Sequence, residues 1–157
     1  MEGTLEIIEV KMGDFQISAA PVCLTTGGIG SCVAICLYNY LQRKGALAHV
    51  MLPASPGSAS PQNDYRYADA AINGMLSALE REGISRHQVI AKIVGGANMF
   101  PDIQGRSPKV GERNIESVRA ILKDFGLTVS SEETGGSAGR AISFDLSNGI
   151  VTIKMTI

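Results

Sequence analysis

Cys32 stands directly after a glycine-rich segment, Thr26, Gly27, Gly28, Ile29, Gly30 and Ser31, and at the first residue of an apolar run. Glycines let backbone N–H groups converge on one point, where they can lower a cysteine pKa and stabilise a developing oxyanion. The chemistry on offer is attack by a thiolate on a carbonyl carbon, with Gly30 and Ser31 in the turn beside it. A second reading is a tight turn followed by a small buried hydrophobe, the usual fate of a free cysteine. The turn alone leaves both open.

His49 shifts the balance. The runs Cys32 to Tyr38 and Ala46 to Leu52 are neighbouring strand candidates joined through Asn39 to Gly45, an expected antiparallel hairpin. An even-numbered loop centred near Tyr40 and Leu41 puts thiol and imidazole on one side. Their Cβ atoms would then lie about 4.5 to 5.5 Å apart, or about 7 to 8 Å on the diagonal if the pairing slips by two. An odd loop would put them on opposite faces. In the even case a thiolate and imidazolium pair is sterically allowed.

The other candidates carry less. Cys23, Cys32, Cys36 and His49 are all zinc-ligand types. Cys32 and Cys36, however, would stand about 13 Å apart along one strand at roughly 3.3 Å per residue, and two sulfurs on one zinc must lie within about 4 Å. No metal is expected, and Cys23 and Cys36 read as packing residues. His87 reads as a solvated loop histidine. Gly95 and Gly96 lack the full spacing of a dinucleotide fingerprint and read as a structural turn, followed by Met99 and Phe100 as a candidate exposed binding ridge. In the loop Thr134 to Arg140 the arginine either pairs with a carboxylate or serves an ordinary strand connection, and no Walker lysine follows. No spacing brings two carboxylates together for glycosidase-like work.

Elements must hold Cys32 and His49 in place. Thr4 to Val10, Pro21 to Thr26, Cys32 to Tyr38 and Ala46 to Leu52 are rich in apolar and β-branched residues and bounded by Gly, Pro or Asn, so they predict four strands. Pro53 to Asp64, crowded with Pro, Ser, Gly, Ala and Asn, predicts a surface loop positioned to act as a lid. From Tyr67 to Glu82 the positions Ala68, Ala71, Ile72, Met75, Leu76 and Leu79 recur at helical spacing before Gly83. Gln88 to Val94 predicts a buried strand, and Ile115, Val118, Ile121, Leu122 and Phe125 a second helix ending at Gly126. Leu127 to Ser130 follows, and Ala141 to Leu146 and Ile150 to Thr156 form a hairpin through Asn148 and Gly149. The order is mixed α+β, a sandwich in which helices pack on a mixed sheet.

A length of 157 residues fits one domain, 1–157. With 45% apolar and 18% charged residues the chain can fill a core and lacks the signature of disorder. Fourteen basic against fifteen acidic residues, net −1 with no like-charge run, leave no footprint for nucleic acid. The longest apolar runs fall far short of the roughly 20 residues a bilayer requires, and Glu2, Glu6 and Glu9 are unlike a signal peptide, so a cytoplasmic protein without membrane insertion is expected. Three cysteines are an odd number for a disulfide framework.

The run Thr26 to Ile35 (TGGIGSCVAI) followed by Gly45 to Pro53 (GALAHVMLP) resembles the chemoreceptor glutamine deamidases of the CheD family. The resemblance continues through Arg66 to Asp69 (RYAD), Lys92 to Phe100 (KIVGGANMF), Gly111 to Asn114 (GERN) and the Thr134 to Arg140 loop, in matching order over nearly the whole chain. It implies that Cys32 is the nucleophile, His49 its base and Thr26 the third member of a triad, on a fold similar to toxin-type cysteine deamidases. Gly27 and the Ser/Pro-rich Pro53 to Asp64 loop depart from the usual pattern.

The implied reaction is hydrolysis of a glutamine side-chain amide. Cys32 attacks, N–H groups near Ser31 and Cys32 hold the oxyanion, and His49 protonates the departing ammonia, with Thr26 orienting the ring through its hydroxyl or its carbonyl. No cofactor is implied. The implied substrates are glutamines on the cytoplasmic helices of methyl-accepting chemoreceptors. The implied partner is the phosphatase CheC, in a loop that answers to phosphorylated CheY. The alternative is a non-catalytic regulatory module that binds CheC or a receptor helix, with Met99 and Phe100 as anchors.

Overall fold

The computed structural model describes residues 5–54, 63–99 and 109–156. Phe100 and most of the predicted lid, residues 55–62, lie outside them. The described elements are β1 (Glu6–Glu9), β2 (Phe15–Ala19), β3 (Val22–Ile29), β4 (Val33–Asn39), β5 (Lys44–Val50), α1 (Ala68–Arg81), β6 (Ile90–Gly95), α2 (Val110–Asp124), β7 (Thr128–Thr134), β8 (Gly139–Asp145) and β9 (Ile150–Thr156). The class is α+β with two helices, as expected. The strands divide into two mixed sheets, ordered β1-β3-β8-β9 and β2-β5-β4-β6-β7.

The layering follows from where apolar side chains can hide. Val33, Ile35 and Leu37 of β4 pack with α1 and α2, while Ala34, Cys36 and Tyr38 face the other sheet with Leu24, Leu47 and Phe144. Both faces of β4 are therefore covered, which is why its sequence is one apolar run instead of an alternation. Neither helix has a side-chain N-cap. Packing holds them: Ile72, Met75 and Leu79 of α1 and Val118 and Leu122 of α2 are fully buried against this sheet, each contributing about 1.5 to 3 kcal/mol.

Three local differences from the sequence reading have plain causes. β2 was not anticipated: it is a half-buried edge strand whose order comes from pairing with β5, a contact its own five residues do not announce. β3 runs on to Ile29 instead of stopping at Thr26, because Gly27 and Gly28 form a bulge opposite β8 with Gly28 at φ +64°. The turn itself is confined to Gly30–Cys32, where the chain crosses between sheets. The C-terminal hairpin forms, closed by the four residues 146–149.

Candidate functional site

β4 and β5 pair antiparallel with Ala34 opposite His49 and Asn39 opposite Lys44. The connecting loop, 40–43, is even-numbered, so Cys32 and His49 share a face; its centre falls one residue later than expected, between Leu41 and Gln42. This is the diagonal case, with Cys32 two positions before the residue opposite His49. The loop closes that way because the Asn39 side chain accepts the Gln42 N–H at 2.7 Å and Arg43 takes a left-handed φ of 53°. The shared face is the layer between the two sheets, where Cys32 packs beside Ala34 and Cys36.

Thr26 reaches that layer from the facing sheet. Its Oγ1 lies 2.8 Å from His49 Nδ1 and donates to the Val10 carbonyl at 2.8 Å. A hydroxyl has one proton to give. With that proton on Val10, Oγ1 can only accept from the ring, so Nδ1 carries the hydrogen and Nε2 is the basic nitrogen. His49 Nε2 is buried and has no hydrogen-bond partner among the described residues. The 10–14 segment also fixes the His49 backbone: Gly13 N–H donates to His49 O at 2.8 Å and His49 N–H to Asp14 O at 3.1 Å.

Burial works against a charge on either member of the pair. Burial pushes the Cys32 thiol above its ordinary 9.0, opposed more weakly by its own backbone N–H. Burial likewise lowers the His49 imidazole below 6.5. The lowering of the thiol expected from the turn is thus opposed by desolvation, which favours thiol and neutral imidazole over a pre-formed ion pair. No hydrogen bond joins them; such contacts commonly tighten only around substrate. Cys32 keeps 9% exposure against 3% for Thr26 and 1% for His49, so it is the most accessible residue of the three.

The turn that carries Cys32 is gripped by its carbonyls. Gly30 O accepts from Ala97 N–H at 2.9 Å and Cys32 O from Gly96 N–H at 2.8 Å. Gly95 and Gly96 thus form the expected structural turn. A Cβ on Gly95 would stand 2.4 Å from Cys32 O, so only glycine permits this approach. Asn114, buried on α2, donates through Nδ2 to Ser31 O at 2.8 Å and Met51 O at 3.2 Å. Sequence reasoning gave Asn114 no role. Its signal was a polar side chain on the same helix face as Ile115, Val118 and Leu122.

Met99 is half exposed, and a Cβ on Gly30 would lie 2.6 Å from its sulfur, so it flanks the turn that carries Cys32. Cys36 is fully buried, its thiol pushed up to about 12, and Cys23 is buried on β3. Arg140 is buried on β8 and bonds Gly135 O at 2.8 Å and Glu133 Oε1 at 3.3 Å, so it both pairs with a carboxylate and shapes the strand connection. Among the described residues no three His, Cys, Asp or Glu side chains gather as a metal-binding group. No helix among them is long and apolar enough to cross a membrane.

Residues 51–155 match the family model described as CheD chemotactic sensory transduction. A curated relative from Moorella thermoacetica, named probable chemoreceptor glutamine deamidase CheD, is 41% identical over 158 aligned residues, covering 98% of this chain and 95% of its own. One from Archaeoglobus fulgidus with the same name is 40% identical over 147 residues, 94% and 92% of the two chains. The chemoreceptor glutamine deamidase CheD of Thermotoga maritima is 34% identical, covering 92% and 89%.

Proposed function

The chain belongs to the CheD family and is a chemoreceptor glutamine deamidase, and we propose that Cys32, His49 and Thr26 carry its reaction. The observation that supports this most is the relay from Val10 O through Thr26 Oγ1 to His49 Nδ1, which leaves an unpartnered Nε2 on the face that Cys32 shares. The Cys32 S–H proton passes to Nε2 as sulfur attacks the carboxamide carbon and the C=O electrons become an oxyanion, held by N–H groups of the Gly30–Ser31–Cys32 turn. Collapse expels the amine, which takes the proton from Nε2 and leaves as ammonia. Water, deprotonated by His49, then cleaves the thioester to give glutamate and the free thiol.

The new carboxylate adds a negative charge to a receptor helix, where like charges at i, i+4 repel and alter packing. Such helices are cytoplasmic, which puts the enzyme in that compartment. CheC, answering to phosphorylated CheY, is proposed as a regulatory partner. A partner seated on half-exposed Met99 would also cover the turn that carries Cys32, which supports inhibition by occlusion.

The first test incubates wild type and Cys32→Ala with a purified receptor cytoplasmic fragment and follows the gain of about one dalton per glutamine, the mass difference between an amide NH2 and an acid OH, with peptide mapping; the thiol's role as nucleophile predicts that only wild type gains mass. Conversion by Cys32→Ala would refute the thiol mechanism, and binding without conversion by either protein would favour the non-catalytic module. Thr26 is tested by two substitutions. Thr26→Ser keeps the hydroxyl and should hold kcat within about fivefold, whereas Thr26→Val strands Nδ1–H and Val10 O and should lower kcat about 100-fold, less than loss of a charged orienting group. Equal rates for both variants would exclude the relay.

A further inference from the structure

Asn114 spends both Nδ2 hydrogens on backbone carbonyls, Ser31 O at 2.8 Å and Met51 O at 3.2 Å. Rotating the amide would aim its oxygen at two carbonyl oxygens, so the donor identity is fixed. The Ser31 carbonyl belongs to the same peptide unit as the Cys32 N–H, and in a planar trans peptide the two point in opposite directions. Holding one therefore aims the other. Among the described residues no backbone carbonyl accepts from the Cys32 N–H. A hydrogen bond on the carbonyl also polarises the N–H of the same peptide, strengthening it as a donor.

We propose that Asn114 is a positioning residue that orients and polarises the Cys32 N–H as the oxyanion donor, acting through the Ser31–Cys32 peptide. This deepens the deamidase reading and rests on it. The second bond, to Met51 O, ties the same side chain to the exit of β5, two residues beyond His49. The donor side and the base side of the site are thereby referenced to one rigid point on α2. Among the described residues Oδ1 of Asn114 is buried without a partner, so the side chain serves the two carbonyls with its donors alone.

Asn114→Ala removes the donor and leaves Cys32, His49 and Thr26 untouched. Loss of one oxyanion donor costs about 10²- to 10³-fold in kcat, and a donor present but misaligned should cost less, between about 10- and 100-fold. The experiment measures kcat and KM for deamidation of the receptor fragment, and in parallel the rate at which iodoacetamide alkylates Cys32, followed by peptide mass. Alkylation reads the thiol and its base but has no oxyanion to stabilise. The proposal expects kcat to fall as stated, KM to stay within about twofold and alkylation of Cys32 to stay within about twofold of wild type. An unchanged kcat overturns it, as does a parallel fall of kcat and alkylation, which would mean the whole site had loosened. If Asn114→Ala does not fold, Asn114→Asp, of the same shape and without the donor when ionised, is read by the same criteria. Wild type run alongside separates the two levels: no glutamate from wild type would overturn the deamidase reading itself, and this proposal with it.

Discussion

His49→Ala lowers kcat/KM for receptor deamidation by about 10⁴-fold, the loss expected when one group serves as base toward the thiol and as acid toward the leaving ammonia. In the proposed mechanism both duties fall on Nε2, the nitrogen left unprotonated when Thr26 accepts from Nδ1. His49→Asn, which cannot exchange a proton, should be as inactive. The wild-type pH profile carries the same argument. The reactive form holds one proton between Cys32 and His49, whichever atom bears it. Burial lowers the imidazole, so on acidification the pair gains its second proton only below pH 6.5. Burial raises the thiol, so on alkalinisation the last proton leaves only above pH 9.0. The expected profile of kcat/KM is flat from 6.5 to 9.0, measured by ammonia release. A bell with both limbs inside that window would show that burial does not shift the two groups in these directions, and His49→Ala retaining a tenth of the rate would remove the histidine from the mechanism.

What could be read from the chain follows the range of each interaction. That Cys32 and His49 share a face was legible, because strand side chains alternate with period two and an even loop preserves parity. Their diagonal offset was not, since it depends on Asn39 capping the Gln42 N–H and on Arg43 accepting a positive φ, details of one turn. Thr26 entered through family resemblance alone. Spacing says nothing of β3 lying across from β5 in the opposite sheet, and the bulge at Gly27–Gly28 is a local adjustment of that strand. The helices were legible because their apolar positions repeat, although α2 starts at Val110, earlier than the apolar positions alone marked. Asn114 acts on Ser31, 83 residues away in sequence. Only the fold brings them together.

The same junction explains why glycine occupies position 111, and it sets the largest expected effect on stability. Gly111 is buried in the first turn of α2, and a Cβ there would stand 2.4 Å from both Gly96 O and Ala97 O. These are backbone atoms, with no flexible side-chain end to swing aside. They belong to the turn whose N–H groups hold Gly30 O and Cys32 O. In Gly111→Ala, either α2 retreats and carries Asn114 with it, or the Gly96–Ala97 turn retreats and carries the Gly30–Cys32 turn. Overpacking of this kind costs about 3 kcal/mol or more, and the better helix propensity of alanine returns about 1 kcal/mol. The expected net loss of about 2 to 3 kcal/mol lowers Tm by roughly 4 to 12 °C at this chain length. The reverse exchange at an exposed site of the same helix, Ala120→Gly, should cost only about 1 kcal/mol. Because both retreats move the machinery around Cys32, the folded fraction of Gly111→Ala should also deamidate at least 10-fold more slowly than wild type. Thermal unfolding by circular dichroism and single-point deamidation rates decide it: a variant with wild-type Tm and rate would mean that α2 and the 96–97 turn are not the rigid frame of the Cys32 turn.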